Sequence, residues 1–473
     1  MVFRTSPARI CPAARRVVAS TLSVAGLAAL VWWQAAPALG QTPAKPESPP
    51  PTLRVADILS LAKPEGEFLE SVPDSAKLGV DRVLAFEDNQ FFLYVFGDAR
   101  KAAKEENGET PWLVRRVFLL KPSVVVVDDR VRLQKTAAWV LQGSSPPKID
   151  GRRVRMAEGK NNVVCETLLP RETNLKTVDN SLVETSRNLD VKEARFLHVI
   201  ERTGDSDSAA SAKVVEKEGQ LQLTISGKER TFQLTLPAGD GAGKIAVRKP
   251  DGKPLLARRL LPSGIMPHGR DGVRLIERWD SAYRRDRMPG WDTGRPSGNL
   301  TKVVEEGTIR PCRTVVLGCG TGNNAIYLAG KGFDVTGIDV APTALTLAEE
   351  KARKAGVEVQ WLVADVLAPP KRKPFDFIFD RGCYHGVRRH NAAGYVAAIR
   401  QLTRPGSEVL ILAGNANEAR RHGPPRVKEE EIRNDFSPAF DFVWLRETKF
   451  DTRDPKRQGA LAWSILLRRK GEK

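Results

Sequence analysis

Three glycines at alternate positions, Gly318, Gly320 and Gly322, are the residues of this chain best placed to do chemistry. They follow an apolar run at 314–317 that has the length and composition of a buried strand, and a helical pattern begins directly after them. Without side chains at the turn, backbone N–H groups and the N-terminus of the helix can approach a ligand closely. The sequence therefore predicts a ligand-binding turn between a strand and a helix.

A carboxylate follows this turn at a distance that suits ribose recognition. Asp339 ends a second predicted strand, seventeen residues after Gly322, and an acidic side chain at that place accepts hydrogen bonds from ribose hydroxyls in dinucleotide-binding folds. Asp365 and Asp380 also follow predicted strands. Because parallel strands meet at one rim with their carboxyl ends, we expect the three carboxylates to converge there. The spacing alone also fits a nicotinamide-dependent enzyme.

The elements that must position these residues alternate between strands and helices from 314 to the C-terminus. Helices are predicted at 342–354, 392–402 and 427–434, and strands at 357–363, 375–379, 408–413, 440–445 and 460–467. Such alternation predicts an α/β doubly wound (Rossmann-like) domain with a mainly parallel sheet, whose ligands gather at the carboxyl ends of the strands. We place this domain at 275–473.

Several short motifs in this domain resemble one family. The matching stretches are Trp279-Asp-Ser-Ala-Tyr283, Pro289-Gly-Trp-Asp-Thr-Gly-Arg-Pro296, Val316-Leu-Gly-Cys-Gly-Thr-Gly322, Gly337-Ile-Asp339, Ala364-Asp365, Phe379-Asp-Arg-Gly-Cys-Tyr-His385 and Gly423-Pro-Pro425. They are similar to class I S-adenosylmethionine-dependent methyltransferases and, more narrowly, to the thiopurine S-methyltransferase superfamily with its halide and thiol methyltransferases. The Trp-Asp-x-Gly-Arg-Pro stretch is the specific part, because generic methyltransferases and dehydrogenases lack it.

The resemblance implies a role for each residue of a cofactor site. The cofactor, S-adenosyl-L-methionine, would be covered by Trp279, Tyr283 and Trp291, admitted by Gly318, Gly320 and Gly322, held at the ribose by Asp339 and at the adenine by Asp365 and Val366, and faced at the sulfonium by the wall from Asp380 to His385. One position departs from the broad class, since Val316 stands where many members have an acid. The halide branch also lacks an acid there.

The residues near the transferred methyl group must align donor and acceptor and exclude water, because methyl transfer from a sulfonium is an in-line displacement. A soft acceptor such as a thiol or a halide needs little help from a general base, whereas an oxygen or nitrogen acceptor needs one. His385, Tyr384 and Asp380 are the candidate catalytic residues, and the competing interpretation is that they only shape the pocket. Cys383 has no evident partner base and is interpreted as a pocket thiol.

Short apolar strands separated by turns fill residues 54–250. This rhythm predicts an antiparallel β-sandwich. The stretches 116–130 and 139–151 resemble the C-terminal β-domain of heparinase II/III-like polysaccharide lyases, which implies contact with a polysaccharide, although the chain has no room for the helical toroid of that family. His198 is the only histidine of this region and is interpreted as a strand residue. A sugar-binding or purely structural module is therefore the prediction, without lyase activity.

The first 40 residues have the composition of a targeting segment. Four arginines and no acid precede an uncharged, largely apolar run at 17–33, and Ala36-Pro-Ala38 offers a cleavage site. A signal peptide or an uncleaved membrane anchor is predicted for 1–40, followed by a proline-rich linker at 41–53, and a second linker is predicted at 251–274. Export or a membrane tether conflicts with the cytoplasmic supply of S-adenosylmethionine, so a cytoplasmic location is the alternative.

Composition narrows the function classes. The 473-residue chain has a formal charge of +18, but its basic residues are dispersed without an aromatic-interleaved stripe, which argues against a nucleic-acid partner. Its five cysteines include no Cys-x-x-Cys pair, so no metal site is predicted. Two functions remain: a methyltransferase that acts on a small, soft acceptor, and an exported carbohydrate-associated β-module whose methyltransferase fold is inactive or altered.

Overall fold

The computed structural model describes residues 52–471, apart from 62, 64–66, 100–111, 133–137, 160, 187–192, 204–209, 240, 421 and 455. The signal peptide or anchor predicted for 1–40, and the predicted linker up to residue 51, lie outside the described residues. No helix within the described ranges is long and apolar enough to cross a membrane. Export, a membrane tether and polysaccharide contact stay predictions.

Strands make up most of residues 52–260. They are β1 Thr52–Arg54, β2 Arg82–Asp88, β3 Phe92–Ala99, β4 Trp112–Leu120, β5 Val124–Arg132, β6 Ala138–Gln142, β7 Lys148–Asp150, β8 Arg153–Glu158, β9 Asn161–Leu169, β10 Thr173–Val178, β11 Ser181–Ser186, β12 Glu193–Thr203, β13 Ser211–Lys217, β14 Gln220–Ser226, β15 Thr231–Pro237, β16 Lys244–Arg248 and β17 Pro254–Leu260. A short helix, α1 Val55–Leu59, and a 3₁₀ turn at Ser75–Leu78 accompany them.

Three sheets form this β-rich region. The central sheet has eight strands in the order β2-β3-β4-β5-β12-β9-β8-β7, and it is accompanied by the four-stranded sheet β1-β6-β11-β10 and the five-stranded sheet β13-β14-β15-β16-β17. The central sheet buries both faces, because Leu93 and Val95 pack in one hydrophobic core with the four-stranded sheet while Phe92 and Tyr94 pack in another with the five-stranded sheet. The regular spacing of short strands predicted an antiparallel β-sandwich over 54–250. The structure shows a β-rich region with one hydrophobic core on each face of the central sheet.

The segment 251–274, predicted as a linker, contains a strand at Pro254–Leu260 and the start of a helix at Gly269, with a short connection between them. Strand β17 completes the five-stranded sheet, and the first helix of the next domain already begins at Gly269. Proline, glycine and basic residues at 249–254 and 261–264 led to the linker prediction, but the guanidinium of Arg259 between them is buried and forms an ion pair with Glu87 (2.5 Å). A buried charge of this kind has no signature in a hydropathy pattern, which is why the prediction was wrong here.

The C-terminal domain alternates helices and strands. Its helices are α2 Gly269–Tyr283, α3 Gly298–Glu305, α4 Asn323–Gly330, α5 Pro342–Ala355, α6 Tyr384–Leu402 and α7 Glu429–Phe436, and its strands are β18 Arg313–Leu317, β19 Asp334–Asp339, β20 Gln360–Val363, β21 Phe375–Arg381, β22 Thr403–Asn415, β23 Arg426–Val427, β24 Phe440–Lys449 and β25 Leu461–Arg469. The predicted elements are all present, although α6 begins eight residues earlier than the helix predicted at 392–402.

The sheet of this domain has the order β20-β19-β18-β21-β22-β25-β24, with β23 beside β22. Strands β18 to β22 are parallel, and β25 is antiparallel to β22. Hydrophobic cores cover both faces of the sheet, so the predicted doubly wound, Rossmann-like fold is confirmed. The strand order reverses beside β18, and a ligand-binding crevice is expected at the carboxyl ends of the strands at this point.

Candidate active site

The glycine turn lies at that reversal point and has the backbone that only glycine adopts easily. Gly318, Gly320 and Gly322 have φ values of 58°, 54° and 80°. A Cβ at Gly318 would lie 2.8 Å from the Cβ of Cys383, and one at Gly322 would lie 2.6 Å from the indole of Trp361. Gly318 and Gly320 line an open cleft of ≈ 480 Å³. Gly322 does not line it, and its role is close packing behind the turn.

The predicted ribose ligand is joined directly to the turn. Asp339 ends β19, and its carboxylate accepts hydrogen bonds from the backbone N–H groups of Gly320 (2.8 Å) and Ala341 (2.9 Å). Burial raises the pKa of Asp339 to about 6. Each carboxylate oxygen accepts one of these bonds and keeps a second lone pair. The group can therefore orient the turn and still accept hydrogen bonds from a ligand.

Three aromatic side chains that the sequence assigned to the cofactor form one cluster above the turn. The indole N–H of Trp291 donates to the hydroxyl of Tyr283 (3.0 Å), and the rings of Trp279 and Trp291 meet edge to face with centroids 5.8 Å apart. The Tyr283 hydroxyl lies 3.1 Å from the position that a Cβ would take at Gly320. Burial raises the pKa of Tyr283. Tyr283 and Trp291 therefore line the cleft beside the glycine turn, and Trp279 contacts Trp291 without lining the cleft.

Asp292, which the sequence reasoning did not single out, holds the loop of Trp291 on the turn. Its carboxylate accepts hydrogen bonds from Thr321 Oγ1 (2.5 Å), Asn323 Nδ2 (2.7 Å) and the N–H of Gly294 (2.9 Å). Burial acts to raise the pKa of Asp292, but the bonds from Thr321 and Gly294 outweigh it and the pKa is lowered. The Trp-Asp-x-Gly motif could have indicated this role, because its aspartate accepts hydrogen bonds from the turn and its glycine donates one within the loop.

A second aspartate that was not singled out, Asp280, joins the aromatic helix to the helix after Asp339. Its carboxylate accepts from the N–H (2.7 Å) and the hydroxyl (2.9 Å) of Thr343 in the first turn of α5. A carboxylate at this place also interacts favourably with the positive end of the helix dipole. Helix α2 is thereby held at the carboxyl end of β19, where its aromatic residues cover the cleft.

The predicted adenine ligands follow β20 at the same rim. Asp365 accepts a hydrogen bond from the N–H of Leu367 (2.9 Å), and burial raises its pKa. The neighbouring N–H of Ala364 donates to the backbone oxygen of Asp339 (3.1 Å), which brings the two loops together. Val366 is buried in a hydrophobic core and supports the loop from inside.

Asp380 does not face the cleft with free oxygens. It is fully buried, and its carboxylate accepts from the N–H groups of Cys383 (2.8 Å) and Tyr384 (2.9 Å) and from the hydroxyl of Tyr395 (2.6 Å). Burial raises its pKa to about 6. Its oxygens are therefore engaged at the N-terminus of α6, where Asp380 shapes the turn at 381–383.

The polar atoms of the other two candidate catalytic residues are also engaged in hydrogen bonds. The hydroxyl of Tyr384 is buried and donates to Asp435 on α7 (2.6 Å). The Nδ1 atom of His385 accepts from the N–H of Gly414 (2.9 Å), which assigns the proton of the neutral ring to Nε2. Burial, aided by the charge of Arg381, lowers the pKa of His385 to about 4. In the neutral ring of His385 neither nitrogen is left as a free acceptor, and the Tyr384 hydroxyl already donates its proton to Asp435. Neither residue is among those that line the cleft beside the glycine turn.

Arg381 is a charged residue of the cleft that the sequence reasoning did not single out. It lines the cleft together with Trp291 and the glycine turn, and its guanidinium donates to the backbone oxygens of Trp291 (3.0 Å) and Asp451 (3.2 Å). The cation lies 5.5 Å from the ring centroid of Phe450, and burial lowers its pKa. Among the residues that the structure describes, no carboxylate forms an ion pair with it. Its position next to Asp380 in the matching motif could have indicated that Arg381 lies at the cleft.

The C-terminal domain is similar to a known family of proteins. The sequence profile described as "Thiopurine S-methyltransferase (TPMT)" matches residues 275–465. Residues 275–465 are therefore a domain of the thiopurine S-methyltransferase family. These enzymes are class I methyltransferases that use S-adenosyl-L-methionine. The domain fits that cofactor, because it presents a side-chain-free turn, a carboxylate with spare lone pairs and indole faces that attract a sulfonium.

Two similar proteins are methyltransferases whose names include a methyl acceptor. The 2-heptyl-1-hydroxyquinolin-4(1H)-one methyltransferase of Mycobacteroides abscessus is 29% identical over 184 residues, which is 35% of this chain and 81% of the relative. The probable thiol methyltransferase 2 of Arabidopsis thaliana is 27% identical over 149 residues, 31% of this chain and 65% of the relative, slightly less than two thirds of its length. The solved structure of TehB from Haemophilus influenzae aligns with a TM-score of 0.32 and 12% identity over 72% of this chain and 91% of that chain.

Proposed function

We propose that the methyltransferase domain transfers a methyl group to a small acceptor that reacts as an anion, above all a thiolate or a halide. The observation that carries this proposal is the guanidinium of Arg381, which lines the cleft beside the glycine turn without a carboxylate partner among the described residues. A cation in a partly desolvated cleft attracts an anionic acceptor and lowers the pKa of a thiol that approaches it.

The groups around the cleft favour an acceptor that needs no general base. His385 has its Nδ1 lone pair engaged by Gly414, and Asp380 and Tyr384 are engaged in the wall. Asp292, the carboxylate that lines the cleft, already accepts three hydrogen bonds. A neutral alcohol or an amine would have to lose a proton at this place, whereas a thiolate or a halide arrives without one.

The chain's own residues then bind, align and exclude water. Bound S-adenosyl-L-methionine supplies an electrophilic methyl group on a sulfonium. Asp339 accepts hydrogen bonds from the ligand while it orients Gly320, and the loop of Trp291 covers the turn. Opposite charges on donor and acceptor disappear together as the methyl group is transferred, so a cleft that excludes water favours the reaction. Alignment of the two reactants supplies several kcal/mol more.

The relatives support this acceptor class and add a second candidate. Two Arabidopsis relatives are named a probable thiol methyltransferase and a thiocyanate methyltransferase. The mycobacterial relative is named for a hydroxyquinolone, which makes a hydroxylated aromatic heterocycle the second candidate for this chain. The half-exposed indole of Trp291 at the mouth of the cleft favours this candidate too, because it offers a stacking face for a planar ring.

The test uses the purified full-length chain. Isothermal titration with S-adenosylhomocysteine measures cofactor binding, and mass spectrometry then measures methylated product for thiophenol, iodide, thiocyanate, 2-heptyl-1-hydroxyquinolin-4(1H)-one, a primary amine and an aliphatic alcohol. We expect turnover with the thiol or the halide-like anions and none with the amine or the alcohol. Turnover of the hydroxyquinolone alone would select the second candidate. Turnover of the amine or the alcohol alone would contradict the proposal.

A further inference from the structure

Residues 262–266, called the connector below, touch both the β-rich region and the methyltransferase sheet. On one side, the N–H of Phe86 in β2 donates to the oxygen of Gly264 (3.2 Å), and the oxygen of Phe86 accepts from the N–H of Met266 (3.0 Å). On the other side, the N–H of Ser263 donates to the oxygen of Val363 at the end of β20 (2.8 Å). The connector therefore lies as an extended segment between a strand of each region.

From the connector, a short series of direct bonds leads to the glycine turn. Val363 is followed in the chain by Ala364, whose N–H donates to the backbone oxygen of Asp339 (3.1 Å). The carboxylate of Asp339 accepts from the N–H of Gly320 (2.8 Å). If the connector shifts, it must therefore either break these hydrogen bonds or move the rim that carries Asp339. The residues around it are closely packed and cannot absorb such a shift.

Gly264 is the place where the connector comes nearest to the loop after β20. A Cβ there would lie 3.1 Å from the Cβ of Ala364, 3.3 Å from Cγ of Pro370 and 3.5 Å from the oxygen of Ala368. Its φ lies outside the left-handed region, so space and not backbone conformation requires the glycine. Because the loop includes Asp365, even one added methyl group at Gly264 presses on the predicted adenine side of the cleft.

The β-rich region also holds the helix that covers the cleft. The N–H of Gly269, the first residue of α2, donates to the oxygen of Leu69 (3.0 Å), and the N–H of Leu69 in turn donates to the buried carboxylate of Asp88 (2.7 Å). The carboxylate of Glu70 lies against Gly269, where a negative charge suits the helix N-terminus. The same helix ends at Tyr283, above the glycine turn.

A third contact reaches the helix that follows Asp339. Lys244 on β16 forms an ion pair with Glu349 on α5 (2.7 Å). Helix α5 also receives Asp280 at its first turn. The β-rich region thus contacts the loop after β20, the covering helix α2 and the helix α5, which are three elements around one cleft.

We propose that the β-rich region is a positioning part of the methyltransferase: through the connector and through Leu69 it sets the geometry of the cofactor cleft. The proposal rests on cofactor binding at the glycine turn, which belongs to the proposed function. Coupling between two sites is reciprocal, so bound cofactor must stabilise the connector contacts as much as those contacts strengthen cofactor binding. A passive neighbouring domain would show neither effect.

The first experiment substitutes Gly264 in the full-length chain. We expect Gly264→Val to raise the Kd for S-adenosylhomocysteine about tenfold and Gly264→Ala to raise it about threefold, within the range of measured couplings between packed sites. The kcat at saturating cofactor should stay within about twofold, because cofactor binding is weakened and the chemical step is not. The matched control is Gly239→Val in the β-rich region, where an added Cβ meets no atom within 4 Å, and it should leave the Kd unchanged.

The second experiment needs no variant and decides the matter even if Gly264→Val fails to fold. Hydrogen exchange on the parental chain compares the free and the S-adenosylhomocysteine-bound states. Slower exchange at the amides of Phe86, Ser263 and Met266 on binding supports the proposal. Protection confined to residues beyond 275, or a folded Gly264→Val variant with parental Kd, overturns it. A parental chain that binds no S-adenosylhomocysteine overturns the cofactor assignment first, so the two failures are distinguishable.

Discussion

Replacing Asp292 tests how the cofactor cleft is covered. Its carboxylate accepts hydrogen bonds from Thr321 and Asn323 in the glycine turn and from Gly294 in its own loop. Lys351 also donates to Thr321 (2.6 Å) and to Asn323 (3.1 Å), so a positive charge lies beside the same pair of side chains. Asp292→Ala removes the acceptor for three donors and the countercharge of a half-buried lysine, and the loop that carries Trp291 is expected to leave the turn.

The size of the effect follows from these contacts. A hydrogen bond to a charged group contributes about 1.5–3 kcal/mol. The bond to Gly294 lies within the loop itself and does not join it to the turn, so it is left out, and the two bonds to Thr321 and Asn323 stabilise the covered cleft by about 3 kcal/mol at the lower limit. A tenfold change in affinity corresponds to about 1.4 kcal/mol. We therefore expect Asp292→Ala to weaken S-adenosylhomocysteine binding about 100-fold, and Asp292→Asn, which keeps one acceptor oxygen, about tenfold.

Isothermal titration of both variants and the parental chain at one pH and one salt concentration measures these affinities. Thermal unfolding serves as the folding control, and a double-mutant cycle with Thr321→Val isolates the bond to the turn from other effects. If Asp292→Ala bound S-adenosylhomocysteine as tightly as the parental chain, the loop would not be held by this carboxylate or would not cover the ligand. The reasoning from the Trp-Asp-x-Gly motif would then be refuted.

The remaining predictions concern the acceptor, pH and the turn itself. Arg381→Met should lower kcat/KM for an aromatic thiol about 100-fold, the equivalent of about 3 kcal/mol. The Kd for S-adenosylhomocysteine should rise by a smaller factor, because the loop of Trp291 loses one hydrogen bond. Arg381→Lys should recover part of the activity, and equal loss for both would speak against a charge effect. Because burial raises the pKa of Asp339 to about 6, its charged form disappears below that pH. S-adenosylhomocysteine affinity should therefore fall as the pH drops from 7 to 5. Asp339→Asn should bind weakly with little pH dependence, and an unchanged parental Kd at pH 5 would contradict the ribose role. Gly322→Ala should lower the free energy of unfolding by about 3 kcal/mol, since it adds a clash with Trp361 to an unfavourable left-handed φ. Gly332→Ala, at a left-handed φ of 85° with no atom within 4 Å of its Cβ, should lower the free energy of unfolding by only about 1 kcal/mol. Urea titration of both glycine variants measures this difference.

The sequence alone determined the class of the C-terminal domain and the frame of its site. The spacing of strand, glycine turn, helix and Asp339 is local, and local periodicity sets the order of elements in a doubly wound sheet. Gly318, Gly320 and Asp339 accordingly come together at one rim, with the aromatic residues of the Trp-Asp-x-Gly-Arg-Pro stretch above them. The family and the cofactor followed from the same motifs and are confirmed.

Only the tertiary structure decided what the neighbouring side chains do. Asp380, Tyr384 and His385 lie in one matching motif. The partners of Asp380 are near it, in its own turn and at Tyr395. The Tyr384 hydroxyl, however, donates to Asp435 and Nδ1 of His385 accepts from Gly414, which are 51 and 29 residues away. The same holds for β17, whose buried arginine is paired with a strand more than 150 residues away, and for the connector between β2 and β20. A sequence pattern reports the spacing of residues along the chain, whereas hydrogen-bond partners across a fold depend on how distant elements pack.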